Sequence, residues 1–254
     1  MPAIHLSVNV NKVATLRNSR GGTEPRVVDA VRVCVDAGVA GITVHPRADE
    51  RHIRAADVRD ISRLLEKVPH IEFNIEGDPR PDLLNLVQEV HPHQCTLVPV
   101  VPGEITSQAG WQPGPQSDRL SATVAKLRAR RIRVSLFVDP EPQAVRFAAS
   151  LGADRVELYT EPFARAYVRG SVDARHAFER YATASLLAAE LGLGVNAGHD
   201  LDLENLRLFR ELPHLAEVSI GHALMSRALF VGLAVAVREY LAVLSGAPLV
   251  HGAS

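Results

Sequence analysis

The chain has 254 residues, 46% of them apolar and 22% charged, with a net charge of −1. That balance is ordinary for a soluble globular protein and removes any global electrostatic reason to expect nucleic acid or an anionic membrane as partner. No run approaches 18 uninterrupted apolar residues, and MPAIHLSVNV lacks the basic start and long apolar stretch of a signal peptide. Cys34 and Cys95 have no zinc or disulfide spacing, which suits a reducing cytoplasm. Only Lys12, Lys67 and Lys126 are lysines; the other basic residues are arginines, as high genomic GC content would produce.

Period-2 or β-branched runs alternate with 3.6-period runs along the chain. The first strand is expected over 4–10, followed by a helix from about Pro25 that carries Val27, Val28, Val31 and Val35 and stops at Gly38. Strands follow over 41–44, 71–75, 96–98, 132–138, 155–159, 194–196 and 216–220. Helices are expected around Val58–Leu65, Leu83–Val87, Leu120–Leu127, Ala144–Leu151, up to Leu191, Leu203–Leu212 and Ala223–Leu244. The stretches 99–116 and 160–172 read as irregular, and about 245–254 as a frayed tail.

Eight strand–helix units in this length predict a single α/β domain over 1–254, a (β/α)8 TIM barrel. The doubly wound alternative would place a glycine-rich turn after the first strand, but Asn9-Val10-Asn11-Lys12 stands there.

In such a barrel the chemistry lies where strands end. The polar groups expected there are Asn9, Asn11 and Lys12, with Arg17 and Arg20 after them. They continue with His45, Arg47 and His52; Glu72, Asn74 and Glu76; Asp139; Glu157 and Thr160; Asn196 and His199; and Ser219, Gly221 and His222. Arg17 alone reads as an ordinary loop arginine. His5, His70, His91, His93, His176, His214 and His251 fall away from strand ends and read as structural or solvated. A lone histidine is more often a satisfied core group than a catalyst. Several histidines and carboxylates at one mouth, however, suit proton transfer. No H-x-x-x-H or carboxylate-rich spacing argues for a metal. SIGHALMSRAL and NAGHDL place glycine turns where helix-start N–H groups can hold phosphate. Lys12, the lysine nearest a strand end, leaves open a Schiff-base aldolase. A barrel that binds phosphometabolites without chemistry is the non-enzymatic alternative.

VNVNKVATLRNSRGG, GITVHPRADERHI, IEFN, RVELYTEP, VNAGHDL and SIGHALMSRAL occur in that order across nearly the whole chain. Together they resemble the pyridoxine 5′-phosphate synthase family of vitamin B6 biosynthesis. The resemblance implies a TIM barrel with extra helices, assembled as a homo-octamer, with no metal or organic cofactor. The implied reaction condenses 3-amino-2-oxopropyl phosphate with 1-deoxy-D-xylulose 5-phosphate to give pyridoxine 5′-phosphate, phosphate and water. It implies His45 and Glu72 as proton acceptors, His199 as proton donor and Glu157 as a transition-state stabiliser. Arg47, His52 and Thr106 would hold the deoxyxylulose phosphate. Asn9, Arg20, Gly221 and His222 would hold the amino-ketone phosphate, and Asp200, after His199, is also implicated in binding. Asn11 and Lys12 belong to the expected substrate contacts but stand where the better-known form of the family has Asp-His. Asp200 and Glu161 each stand where that form has Gly, and Val100-Val101-Pro102 where it has a charged stretch.

Overall fold

A computed structural model of the chain describes residues 3–99 and 109–247. Among these, eight parallel strands follow one another in space and the last returns to the first, closing a (β/α)8 barrel. They are β1 (His5–Asn9), β2 (Gly41–Val44), β3 (Glu72–Gly77), β4 (Gln94–Leu97), β5 (Arg133–Val138), β6 (Arg155–Tyr159), β7 (Gly194–His199) and β8 (Leu215–Ile220). Around them lie α1 (Asn11–Arg20), α2 (Val27–Asp36), α3 (Ala55–Leu65), α4 (Pro81–Val90), α5 (Ser117–Arg128), α6 (Pro142–Ser150), α7 (Glu161–Arg169), α8 (Ser171–Glu190), α9 (Leu206–Phe209), α10 (His222–Val231) and α11 (Leu233–Ser245). None of these helices is long and apolar enough to cross a membrane.

Strand alternation sorts the side chains into two sets. Leu6, Val8, Ile42, Val44, Ile75, Cys95, Leu97, Val134, Leu136, Val156, Leu158, Val195 and Val218 are fully buried and share one apolar core with the helix faces. The alternate positions face the lumen and are polar, where most barrels of this class use branched apolar residues. They are joined across strands by hydrogen bonds. Ser7 Oγ meets Thr43 Oγ1 at 2.7 Å, Asn74 Nδ2 donates to Thr43 at 3.3 Å, and Thr96 Oγ1 donates to Asn74 Oδ1 at 3.0 Å. At the amino-terminal end of the barrel, Arg133 bonds Gln94 Oε1 at 2.9 Å and pairs with Glu72. Arg155 bonds Asn196 Oδ1 at 2.8 Å, and Asn196 in turn donates to Glu217 at 3.1 Å. Burial raises the Glu72 carboxyl, but the Arg133 hydrogen bond and charge outweigh it and hold the group below the usual carboxylate range.

The helices differ from the sequence expectation in four places, the first being that the helix expected over Leu203–Leu212 is the single turn α9, Leu206–Phe209. β1 runs directly into α1, which buries only Ala14 and Arg17 and so has no apolar stripe to betray it. The stretch expected to be irregular after β6 is α7. Pro162 sits in its first turn, Phe163 and Ala166 are its buried face, and Gly170, at φ 134, ends it after nine residues. The single expected C-terminal helix is two, α10 and α11, parted at Gly232 with φ 85. α11 ends at Ser245, and 248–254 lie outside the described residues. Where the segment after β4 returns to the barrel, Trp111 donates its backbone N–H to Phe137 at 2.8 Å and its indole N–H to Leu97 at 2.9 Å.

Replacing Arg133 with Met would leave Glu72 and Gln94 without their partner inside the barrel end. The expected cost is about 2 kcal/mol, discounted for partial exposure of the pair, read as a lowered urea midpoint at pH 7.

Candidate active site

A cavity of about 770 Å³ opens at the carboxyl ends of the strands. Three helices begin there with almost no loop between strand and helix. α1 contributes Asn11, Lys12 and Thr15, α7 contributes Glu161 and Arg165, and α10 contributes His222. Asn9 Oδ1 accepts the Asn11 N–H at 3.1 Å, and Asn11 Oδ1 accepts the backbone N–H of His45 at 2.9 Å. The two asparagines thus tie the start of α1 to the end of β2.

The loop after β2 brings His45, Arg47, Arg51 and His52 into the cavity. It is clamped from behind by α1. Arg17, only 7% exposed, forms a bidentate pair with Asp57 and also donates to the His52 carbonyl at 3.3 Å. Asn18 Nδ2 donates to the same carbonyl at 2.8 Å. Arg17 is therefore a buried anchor of the histidine loop and not a loop arginine. His52 Nδ1 accepts the Ile53 N–H at 2.9 Å, so in the neutral ring Nε2 carries the hydrogen. Burial, with Arg47 and Lys12 nearby, pushes the His52 imidazole down to about 4 and keeps it neutral.

The carboxylate beside His45 is Glu76. Its Oε2 lies 3.8 Å from His45 Nδ1 and 3.4 Å from Asn9 Nδ2, and Ser219 Oγ donates to Oε1 at 3.5 Å. This contact is not an ion pair. Burial, then the charges of Arg47, His52, Arg80 and Arg51, push the His45 imidazole down to about 3. Burial raises the Glu76 carboxyl to about 8, with Glu217 adding to it. Both groups are uncharged near neutral pH, one able to take a proton and the other holding one. His45 Nε2 has no hydrogen-bond partner.

Glu157 lies deeper, 4% exposed, with Oε2 unpartnered. Burial, then the neighbouring Glu76 and Glu217 carboxyls, raise it well above the usual range. It fits only because residue 198 is glycine, since a Cβ there would stand 2.3 Å from Glu157 Oε1. On the far wall are His199 and Asp200, with Asp200 Oδ2 2.7 Å from His199 Nδ1. Val98, Phe137 and Tyr159 form a small apolar cluster of their own on the pocket wall.

The structure thus gathers Asn9, Asn11, Lys12, His45, Arg47, His52, Glu157, His199, Asp200, Gly221 and His222 around one cavity. It does not bring Glu72 there. Glu72 opens β3 at the other end of the barrel, paired with Arg133, and at the rise of an extended strand it sits roughly 13 Å from Glu76. The expectation of Glu72 at the mouth is corrected to Glu76: both face the lumen, but only Glu76 is at the carboxyl end of the strand. Arg20 is exposed at the end of α1 and does not line the cavity. Thr106 and Val100-Val101-Pro102 lie outside the described residues. Tyr159, Thr15 and Arg165 line the cavity without having been singled out. Position within strand β6 was the available signal for Tyr159, whereas Thr15 lies on α1, which has no apolar stripe, and Arg165 on α7, whose Pro162 and Gly170 read as loop residues. Among the described residues, no three His, Cys, Asp or Glu side chains are grouped to hold a metal ion.

Carboxyl groups that keep their protons beside an imidazole that lacks one are of use to a reaction that moves protons, and the guanidinium groups above them suit an anionic reactant. Fold and site together define an acid–base enzyme of the (β/α)8-barrel class. The family described as pyridoxal phosphate biosynthesis protein PdxJ matches residues 6–246, and the chain belongs to it. A pyridoxine 5′-phosphate synthase of Christiangramia forsetii is 49% identical over 240 residues, covering 94% of this chain and 98% of that protein. One of Porphyromonas gingivalis is 50% identical over 236 residues, covering 92% of this chain and 96% of the relative. Among solved structures, 3-hexulose-6-phosphate synthase from Salmonella typhimurium superposes with a TM-score of 0.62 at 15% identity, covering 96% of this chain and 99% of that one. Phosphoribosyl anthranilate isomerase from Thermotoga maritima gives 0.57 at 13%, with coverages of 95% and 99%. At those identities the structures speak for the barrel alone.

The raised Glu76 carboxyl sets a pH dependence. The folded protein holds a proton that the unfolded chain releases near 4.5, so stability falls as pH rises through the window up to about 8. Glu76→Gln removes that titration. Its stability relative to the parent is expected to increase steadily from pH 5 to pH 8 in urea unfolding series.

Proposed function

We propose that this cavity condenses 3-amino-2-oxopropyl phosphate with 1-deoxy-D-xylulose 5-phosphate into pyridoxine 5′-phosphate, releasing phosphate and water. The observation that carries the reading is the pair of uncharged proton carriers, His45 and Glu76, 3.8 Å apart in the same cavity as His199 in a PdxJ-family barrel. The amine has to add to a carbonyl, water and phosphate have to leave, and carbon has to close the ring. Each step moves a proton, so one base cannot serve them all.

His45, neutral through the physiological range, accepts protons, and Glu76 beside it supplies one. His199 on the opposite wall donates to departing oxygen. Glu157, protonated in its dry niche, offers a hydrogen bond to negative charge that develops at the floor. Arg47, His52 and Lys12 form the cationic and donor side for one phosphate. The start of α10, at Gly221 and His222, offers backbone N–H groups for the other phosphate, with Asn9 beside it. Lys12 is solvent-exposed, which does not supply the dry surroundings that activate a Schiff-base lysine.

The same proposal includes a cytoplasmic homo-octamer. Exposed apolar side chains support the assembly: Val168 and Val172 at the α7–α8 corner, and Leu229 and Phe230 on α10, each at least 75% exposed in the single chain. Sedimentation of the purified protein reads the state directly.

Purified protein given both substrates is expected to release phosphate and build the pyridine chromophore; no product would overturn the proposal. His45→Asn is expected to lower kcat by about 10³-fold with both KM values little changed.

A further inference from the structure

His199 closes β7 with φ 106, a backbone conformation that side-chain-bearing residues rarely adopt. The bend has a consequence for the next residue. In an extended strand, adjacent side chains point to opposite faces, so a carboxylate could not reach the ring of the residue before it. Turned at His199, the chain brings Asp200 Oδ2 to 2.7 Å from His199 Nδ1. Both sides of the bend are pinned. Thr160 Oγ1 donates to the Gly198 carbonyl at 2.7 Å, and Asn205 Nδ2 donates to the Asp200 carbonyl at 3.0 Å. The ring itself stands at 87° to Tyr159, with centroids 5.2 Å apart.

The hydrogen bond from His199 holds the Asp200 carboxyl below the usual carboxylate range, so it is ionised near neutral pH and can only accept. Nδ1 therefore carries the hydrogen, and Nε2 is the nitrogen left for the cavity. A carboxylate is the wrong chemistry for gripping a phosphate, which it repels. It is the right chemistry for fixing the tautomer and direction of a working imidazole, as in other carboxylate–histidine pairs.

We propose that Asp200 is a positioning residue of the condensation, acting through His199 by holding Nδ1–H and presenting Nε2 to the substrates. In the donating step the Nε2–H bond of the protonated ring breaks, an O–H bond forms on the substrate hydroxyl, and its C–O bond breaks with the electron pair leaving on the departing water. The ring stays behind as the neutral Nδ1–H tautomer, still bonded to Asp200, and is reprotonated by a hydronium ion from bulk solvent. This rests on the reading of His199 as the donor.

The test is steady-state kinetics on Asp200→Asn, Asp200→Ala, His199→Gln and the double variant D200N/H199Q, each checked for an unchanged thermal midpoint. Both Asp200 variants are expected to lose about 10- to 100-fold in kcat with KM for each substrate within about two-fold of the parent. The double variant is expected to be no slower than H199Q alone, because the carboxylate acts only through the ring. Unchanged kcat in D200N and D200A, raised KM with kcat kept, or losses that multiply in the double variant would each overturn the role given to Asp200. Full turnover by H199Q would instead remove the donor role from His199, a distinguishable outcome.

Discussion

A closed barrel gives its strands no wet side. One face meets the helices and the other meets the lumen, so each polar side chain turned inward has to find its partner among the others turned inward. In this protein that constraint is heavy, because the lumen is lined by Ser7, Thr43, Asn74, Thr96, Asn196, Ser219 and several charged groups in place of a branched apolar filling. The hydrogen-bond chain from Ser7 through Thr43 and Asn74 to Thr96 satisfies much of the middle layer, while Ser135 Oγ next to Thr96 is buried without a partner. The two ends solve the problem differently. At the amino-terminal end Arg133 pairs with Glu72 and keeps it ionised, while burial raises Glu217 even with Arg155 nearby. At the carboxyl end no cation enters the lumen beside Glu76 and Glu157 among the contacts described, and these acids escape the cost of burial by keeping their protons. The same residue type is thus a structural anion at one end and a proton store at the other.

The site above the proton store is built from helix beginnings. α1, α7 and α10 start within two residues of the strands before them, so their first turns face the cavity. α1 serves twice. Its start caps the cavity through Asn9 and Asn11, and its later turns hold the β2–α3 loop through Arg17 and Asn18. Losing the Arg17–Asp57 pair would free the segment that carries Arg47 and His52, so a residue far from any reacting atom governs where the cationic wall stands.

Much of this was legible in the residues. β2 and β6 are found at the predicted boundaries, and the eight-unit rhythm led to the right barrel. His45, His52, His199 and Gly221 are legible at one mouth because each follows or ends a predicted strand, and Glu157 because a carboxylate inside a barrel strand has to be paired or functional. What escaped notice did so for physical reasons. α1 is short and mostly polar, so hydrophobic periodicity has little to register there, whereas α7 has a clear apolar face but is only nine residues long, carries Pro162 in its first turn and ends at Gly170, which together read as a loop. Gly232 lies within an otherwise continuous apolar pattern, and a helix break by positive φ leaves no mark on that pattern. Glu72 and Glu76 share a face of one strand, and alternation cannot rank them. Their distance from the strand's carboxyl end can, and it selects Glu76.

That choice changes the chemistry available to His45. A carboxylate paired with arginine, as Glu72 is, stays ionised and has no proton to give at neutral pH. A carboxyl buried without a cation, as Glu76 is, holds its proton up to about 8 and stands next to an imidazole that holds none above about 3. The two free groups span the neutral range from opposite sides. A dianionic phosphate entering beside Arg47 would offset the positive charge that depresses His45 and would favour its protonated form. Substrate binding would then draw the imidazole's proton affinity toward neutrality, where acceptance and release are both accessible.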